Sequence, residues 1–254
     1  MKKPLLLLWM VVALAGCVTE RVNPYNVSKQ ETSARNRAKV HTELASGYYA
    51  RGMQAVALEE FSEAISIDPE YAPAYGGLGL VYTALNEEAK AESNYRKSLQ
   101  LDPTNSDMHN NYGAFLCARN RIDESISEFK LALKNPLYDT PEMAYLNAAR
   151  CVLKKGDDSA AETYLLRALE LRPGMCQASY QLAQIAYGRA EYARAREEFN
   201  QSTRCAEPTA EMLWLGVRIE RALGDAGAEA SYGMLLKNKY PKSEQAKAYL
   251  SGQK

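Results

Sequence analysis

The chain has 254 residues, with 31 Lys+Arg against 31 Asp+Glu and a formal net charge of zero. That balance excludes a general electrostatic attraction to nucleic acid or anionic lipid. Apolar residues make up 46%, which excludes wholesale disorder, and sparse Gly and Pro favour helix over strand.

Met1-Lys2-Lys3 is a short cationic start, and Leu5 to Ala15 is an apolar run without a charge. Such a run, closed by small residues, is a secretory signal. It is too short for a membrane-spanning helix, which needs about 20 residues. Its end, Leu14-Ala15-Gly16-Cys17, resembles a bacterial lipobox. The resemblance implies that residues 1–16 are a lipoprotein signal peptide and that Cys17 becomes a new N-terminus carrying a covalent lipid. A thiolate is the nucleophile that this alkylation needs. Each buried CH₂ of an acyl chain contributes about 0.8 kcal/mol, so several chains hold a protein firmly on a bilayer. Val18, not Asp, follows the cysteine. In Gram-negative lipoproteins that choice implies sorting to the outer membrane, facing the periplasm. No cofactor is expected beyond the covalent lipid on Cys17.

Residues 17–37 read as a lipidated N-terminus and tether. Val18 to Arg37 is polar, with Asn23-Pro24 as a turn signal and helix allowed towards its end. A flexible chain of that length spans about 25 Å r.m.s..

From Ala38 onward the chain repeats itself. In Ala72 to Asn105, Tyr75, Leu78, Gly79 and Tyr82 form one helical stripe, and Ala91, Tyr95 and Ser98 form a second. Asp102-Pro103 ends the unit. Earlier by 34 residues the same pattern reads His41, Leu44, Ala45, Tyr48, then Ala57, Phe61, Ala64, then Asp68-Pro69. The unit resembles the tetratricopeptide repeat, a helix–turn–helix of 34 residues. Residues three and four apart share a helix face, small residues such as Gly79 and Ala91 mark a close helix crossing, and Pro cannot continue a helix.

Six units fill 38–71, 72–105, 106–141, 142–175, 176–209 and 210–243, the third with two added residues near its end. The sixth departs most: Val217 and Glu229 hold its small positions, and Trp214 stands one place late for its aromatic. Residues 244–254 remain as a C-terminal cap or tail, with Ala246, Tyr249 and Leu250 suited to a short capping helix. The expected fold is all-α, a right-handed superhelical solenoid of six tetratricopeptide-type helix pairs with a short C-terminal cap. It leaves no room for a separate enzymatic domain, and neither a catalytic nor a metal-binding residue is expected.

The two histidines, His41 and His109, lie two repeats apart where Tyr75 and Tyr145 stand in other units. They read as packing imidazoles, with no recurring partner near them. Four cysteines follow Cys17: Cys117, Cys151, Cys176 and Cys205. Their spacing excludes paired Cys-x-x-Cys zinc sites. Three pairings are open, besides four buried free thiols. Cys117 and Cys151 sit late in the first helices of consecutive units, which stack side by side. Cys176 opens a first helix and Cys205 closes its second, and antiparallel helices bring those ends together. The expected disulfides are therefore Cys117–Cys151 and Cys176–Cys205.

Solenoids act through an extended concave face. Its expected lining is Gly76, Gly77, Leu80 and Thr83 from the second unit, Asn110, Asn111 and Ala114 from the third, Leu146, Asn147 and Arg150 from the fourth, and Tyr180, Gln184 and Tyr187 from the fifth. Amides can hydrogen-bond the main chain of an extended peptide, and apolar residues can take side-chain anchors. A carboxylate clamp for an acidic chain end is not expected, because its positions in the first two units hold Thr42, Ser46, Gly76 and Leu80.

A Leu-Ala-Gly-Cys lipobox, a short tether and six repeats together resemble the PilF/PilW family of type IV pilus biogenesis lipoproteins. Tyr75-Gly76-Gly77-Leu78-Gly79-Leu80-Val81-Tyr82 and Asn110-Asn111-Tyr112-Gly113-Ala114-Phe115-Leu116-Cys117 are especially similar to it. The resemblance implies a pilotin, which carries type IV pilus secretin subunits to the outer membrane and promotes their multimerisation. The implied partners are a secretin subunit and, through the lipid, the outer membrane, with no nucleic acid and no small-molecule substrate. The alternative is a repeat-scaffold lipoprotein serving outer-membrane protein insertion or peptidoglycan-synthase regulation.

Overall fold

Apolar stripes at three- and four-residue spacing are buried along one face of a helix, and helices form wherever the stripes recur. The computed structural model describes the backbone of residues 24–252 and the side chains from residue 32 on. The signal segment and Cys17 lie outside the described residues. Thirteen helices follow in order: α1 (Pro24–Ala50), α2 (Gln54–Ile67), α3 (Ala72–Ala84), α4 (Glu88–Leu101), α5 (Ser106–Ala118), α6 (Ile122–Ala132), α7 (Pro141–Leu153), α8 (Asp158–Leu171), α9 (Cys176–Gly188), α10 (Tyr192–Ser202), α11 (Ala210–Leu223), α12 (Ala226–Lys239) and α13 (Glu244–Leu250).

The helices pair as α1/α2 through α11/α12, and each second helix also packs on the next unit's first helix. The phase of the repeat is recorded in the backbone. Gly52, Asn86, Asn120, Gly156, Ala190 and Gly224 all take a left-handed φ of 59–76°. Each is the fifteenth residue of its unit and turns the chain from first helix to second. Gly and Asn are the residues that adopt this conformation at least cost. Ala190 is the exception and carries strain there. The interval is 34 residues throughout except between Asn120 and Gly156, where the two added residues lengthen the α6–α7 connection.

Within a unit the close crossing is steric. A Cβ on Gly79 would lie 2.7 Å from the Tyr95 ring, and Ala91 across from it is fully buried. One aromatic or Leu per second helix fills the space beside the crossing: Phe61, Tyr95, Phe129, Leu165 and Phe199, all buried. The sixth unit has Gly233 at that place. The cap fills it from outside, for a Cβ on Gly233 would stand 2.0 Å from the Tyr249 ring of α13. Ala246 of the cap is also buried, while Leu250 is exposed and does not pack.

The N-terminal boundary differs from the sequence expectation. Helix α1 has 27 residues, so the stretch read as a tether is helical from Pro24, not only towards its end. Pro is well placed in a helix's first turn, and no Gly or Pro interrupts 25–46. About 20 Å of helix precedes the first repeat, and its last turns lie against the end of that unit, with Arg35 5.6 Å over the Tyr71 ring, so a helical arm replaces most of the expected linker. None of the helices among the described residues is long and apolar enough to cross a membrane.

Candidate functional site

The first helices of neighbouring units touch each other at α1/α3, α3/α5, α5/α7 and α9/α11. They form the inner face of the solenoid, whose two halves use the same repeat positions differently.

In the N-terminal half several inner-face positions are taken up by contacts between units. A Cβ on Gly76 would lie 2.1 Å from the Met108 sulfur of the next unit, and one on Gly77 would lie 2.1 Å from the Phe61 ring of the unit before. Leu80 is half-buried against the cluster of Tyr95, Tyr112 and Phe115. Thr83 donates to its own helix at the Gly79 carbonyl, 2.7 Å away, and lies 3.3 Å from the Tyr95 hydroxyl, whose pKa burial pushes up to about 12. Asn110 is buried and accepts at 3.0 Å from the Asn147 amide. Asn111 is half-buried and Ala114 exposed. Leu146 has no exposure at all and shares a core cluster with Ala178 and Leu182 of the next unit. Gly76, Gly77 and Leu146, expected as groove lining, are instead contacts between stacked units. The fifth position of a first helix looks towards the next unit, and the sixth looks back.

The C-terminal half is open. A cleft of about 390 Å³ is lined by Arg150, Gln177, Tyr180, Gln181 and Met212, with the Cys176 and Cys205 pair in its wall. A second, of about 350 Å³, is lined by Tyr180, Gln184, Tyr187, Trp214 and Arg218, with Glu211 and Gln245 at one side. Tyr180 is shared by both. Its hydroxyl pKa is raised by burial and by the Glu211 carboxylate. Arg218 lies 4.3 Å over the Tyr187 ring, a cation–π contact. Arg150 is exposed and donates to the Gln177 amide oxygen at 3.3 Å. Neither arginine makes an ion pair among the described residues. Elsewhere Arg121, Arg189 and Arg194 are paired with Glu92, Glu162 and Glu162, and Arg196 forks onto the buried Glu220. The Gln181 side-chain oxygen, buried in the cleft wall, has no hydrogen-bond partner among the described residues.

Trp214 and Arg218 also line the second cleft, beyond the residues expected from the sequence. The signal was present: Trp214 is late for the packing position, which Leu213 fills, because it occupies the fifth place of its unit, equivalent to Tyr180. Arg218 is then equivalent to Arg150 and Gln184. The register of the unit is intact and only its residue choices differ.

The cysteines pair as Cys117–Cys151 and Cys176–Cys205, with Cα separations of 5.7 Å and 6.1 Å. The first disulfide is buried between α5 and α7, and the second, beside the open cleft, is half-buried at Cys176 and exposed at Cys205.

The histidines do have a recurring partner, contrary to expectation. His41 Nδ1 is 2.7 Å from Glu60, and His109 Nδ1 is 2.6 Å from Glu128, each 19 residues on. His109 Nε2 also donates to the Pro103 carbonyl at 3.1 Å, as the Tyr75 hydroxyl does to Pro69. Burial opposes charge on His109, but Glu128, the Pro103 carbonyl and Asp102 hold its pKa above the ordinary value. Both ring nitrogens are engaged, so the pair ties the first helix to the second and to the preceding turn. Among the described residues no group of His, Cys, Asp or Glu is arranged to hold a metal.

The comparisons with known proteins agree with this architecture. Family profiles described as tetratricopeptide repeat match residues 72–105, 94–127 and 116–175. The chain is 30% identical over 235 residues to the type IV pilus assembly protein PilF of Pseudomonas aeruginosa, covering 92% of each. Its fold is similar to the crystal structure of PilW, described as a widely conserved type IV pilus biogenesis factor, with a TM-score of 0.76, 32% identity, and coverage of 84% of this chain and 98% of that one. It is similar to a solved structure of Pseudomonas aeruginosa PilF with a TM-score of 0.81, 28% identity and coverage of 88% and 99%. With sequence identity and helical register shared across nearly the whole length, this chain belongs to the PilF/PilW family of tetratricopeptide-repeat proteins of type IV pilus biogenesis.

Proposed function

We propose that this protein is a pilotin: an outer-membrane lipoprotein, anchored through lipid on Cys17 and facing the periplasm, that binds type IV pilus secretin subunits. The observation that carries the reading is the joint layout. Leu14-Ala15-Gly16-Cys17 stands a few residues ahead of a solenoid whose inner face carries aromatics, amides and two arginines with no acidic partner among the described residues. The lipid supplies the address. The helical arm of α1 holds the repeats off the bilayer. The inner face holds a secretin segment and so prevents assembly in the wrong membrane. The two disulfides suit an oxidising periplasm.

The test is a gel of detergent-resistant secretin multimers from cells carrying the wild-type gene, no gene, or Cys17→Ser. Multimers are expected in the outer membrane only with the wild type, with monomers left in the inner membrane otherwise. Unchanged multimers without the gene would reject the role and favour a scaffold for outer-membrane protein insertion or peptidoglycan-synthase regulation.

A further inference from the structure

The open half of the inner face has a charge pattern of its own. Arg150 and Arg218 are the ninth residues of the fourth and sixth units, and Gln184 is the ninth of the fifth. Three neighbouring helices thus present Arg, Gln and Arg in a row across the groove. Neither arginine has an acidic partner among the described residues, although Glu207, which pairs with Lys239, and Glu211 line the same clefts; the arginines on the outer helices and turns are largely paired. An unpaired guanidinium offers five donors in a fork that fits a carboxylate bidentately. Between them, the buried Gln181 oxygen lacks a donor. An unmet buried acceptor is unfavourable, so a ligand N–H is favoured there.

From these observations we propose that the C-terminal half of the groove takes an extended, acidic segment of the partner protein. Its carboxylates pair with Arg150 and Arg218, and its main chain hydrogen-bonds Gln181 and Gln184 between them. The inference rests on the reading that the inner face is the partner-binding surface. The spacing of the acids follows from packing. Neighbouring helices are about 8–10 Å apart, so two steps separate the arginines by roughly 20 Å. A strand rises about 3.3 Å per residue, which puts the two carboxylates about six residues apart. Glu211 lies two helical turns before Arg218 on the same helix, about 10 Å away, and accepts from Gln245 at 3.4 Å. It repels a carboxylate on that side and so fixes where the segment runs. The site is distinct from a clamp for a chain terminus, because it reads side-chain carboxylates along a continuous segment.

The test uses the full mature chain on arrayed peptides of about 15 residues. One set tiles the periplasmic region of the secretin. A second is random apart from two aspartates about six residues apart. Every peptide is paired with a copy in which Asn replaces each Asp and Gln each Glu. Acidic peptides are expected to bind about tenfold more strongly than their neutral copies, and Arg150→Gln and Arg218→Gln each to remove about threefold of that preference. Leu80→Gln, in the N-terminal half, is expected to change little. Thermal melts of the arginine variants should match the wild type, since both side chains stand out of the core.

Binding to the random acidic set but to no secretin tile would uphold the inference and remove the secretin as partner. Secretin tiles that bind their neutral copies equally, or that bind both arginine variants unchanged, would leave the secretin reading standing and overturn the inference. Absence of binding to either set would also overturn it.

Discussion

In the second unit the fifth residue is Gly76, and Met108 of the next unit occupies the space above it. In the sixth the same place holds Trp214, which lines an open cleft. Between these extremes Leu146 is wholly buried and Tyr180 half-buried. One repeat position thus serves as glue between units at one end of the solenoid and as the wall of an open cleft at the other. The neighbour contributes: Met108 at the third place of the next unit fills the space that a side chain at Gly76 would need, the small Ala178 leaves room for Leu146, and Met212 at the same place stands beside Tyr180 in the cleft wall. The repeat therefore settles where a side chain starts, and the adjoining unit settles whether a partner can reach it.

The largest predicted effect separates the two roles within a single helix. Leu146→Ala should lower stability by about 2–5 kcal/mol, the usual cost of emptying a core position. Arg150→Ala, one turn further on, should stay within about 0.5 kcal/mol of the wild type while weakening partner binding. Denaturant unfolding and a binding assay on both variants decide this. Equal destabilisation by the two would break the comparison.

The disulfides sharpen it next. Each closes a loop of about 30 residues, worth roughly 3–4 kcal/mol on chain entropy alone, so their thermodynamic weights are similar. Their accessibility is not: Cys151 is fully buried and Cys205 exposed. Mild reductant on the native protein should open Cys176–Cys205 first, read by alkylation and mass spectrometry. Simultaneous opening would mean that the solenoid unfolds before either bond is reached.

A smaller effect concerns the turns. Ala190 holds the left-handed conformation that Gly or Asn holds in the other five units. Ala190→Gly should raise stability by about 1 kcal/mol, visible as a shift in denaturant midpoint. The smallest effect is the His109–Glu128 pair. The folded pKa of His109 is raised, so its contribution is fully present below the unfolded value near 6.5 and fades as pH rises through the folded value. The difference in melting temperature between wild type and His109→Gln should be largest in mild acid and narrow above about pH 6.5. A difference that widened with pH would show that the imidazole is held neutral.

Most of the fold was legible because packing leaves a residue pattern: Tyr75, Leu78, Gly79 and Ala91 recur in register, and cysteines placed at helix ends point to their partners. The helical arm was less legible. Residues 24–37 carry no repeat signature, and helix there shows only as the absence of breakers. The site was half legible. Periodicity finds the inner helices, but it cannot separate a residue facing the groove from one facing the next unit, which differ by less than a turn. The periodicity therefore places Leu146 on the groove, whereas it is core. Trp214 was noted as an irregularity and is lining. The His–Glu pairs were hidden because the partners lie on different helices, 19 residues apart, with no local motif to join them.

The central claim is that partner binding resides in the open C-terminal half of the inner face. Hydrogen–deuterium exchange of the full mature chain, with and without the secretin periplasmic region, tests it most directly. The account predicts added protection in α9 and α11 and at the C-terminal end of α7, with α3 and α5 unchanged. Protection confined to α1, α3 and α5 would contradict it.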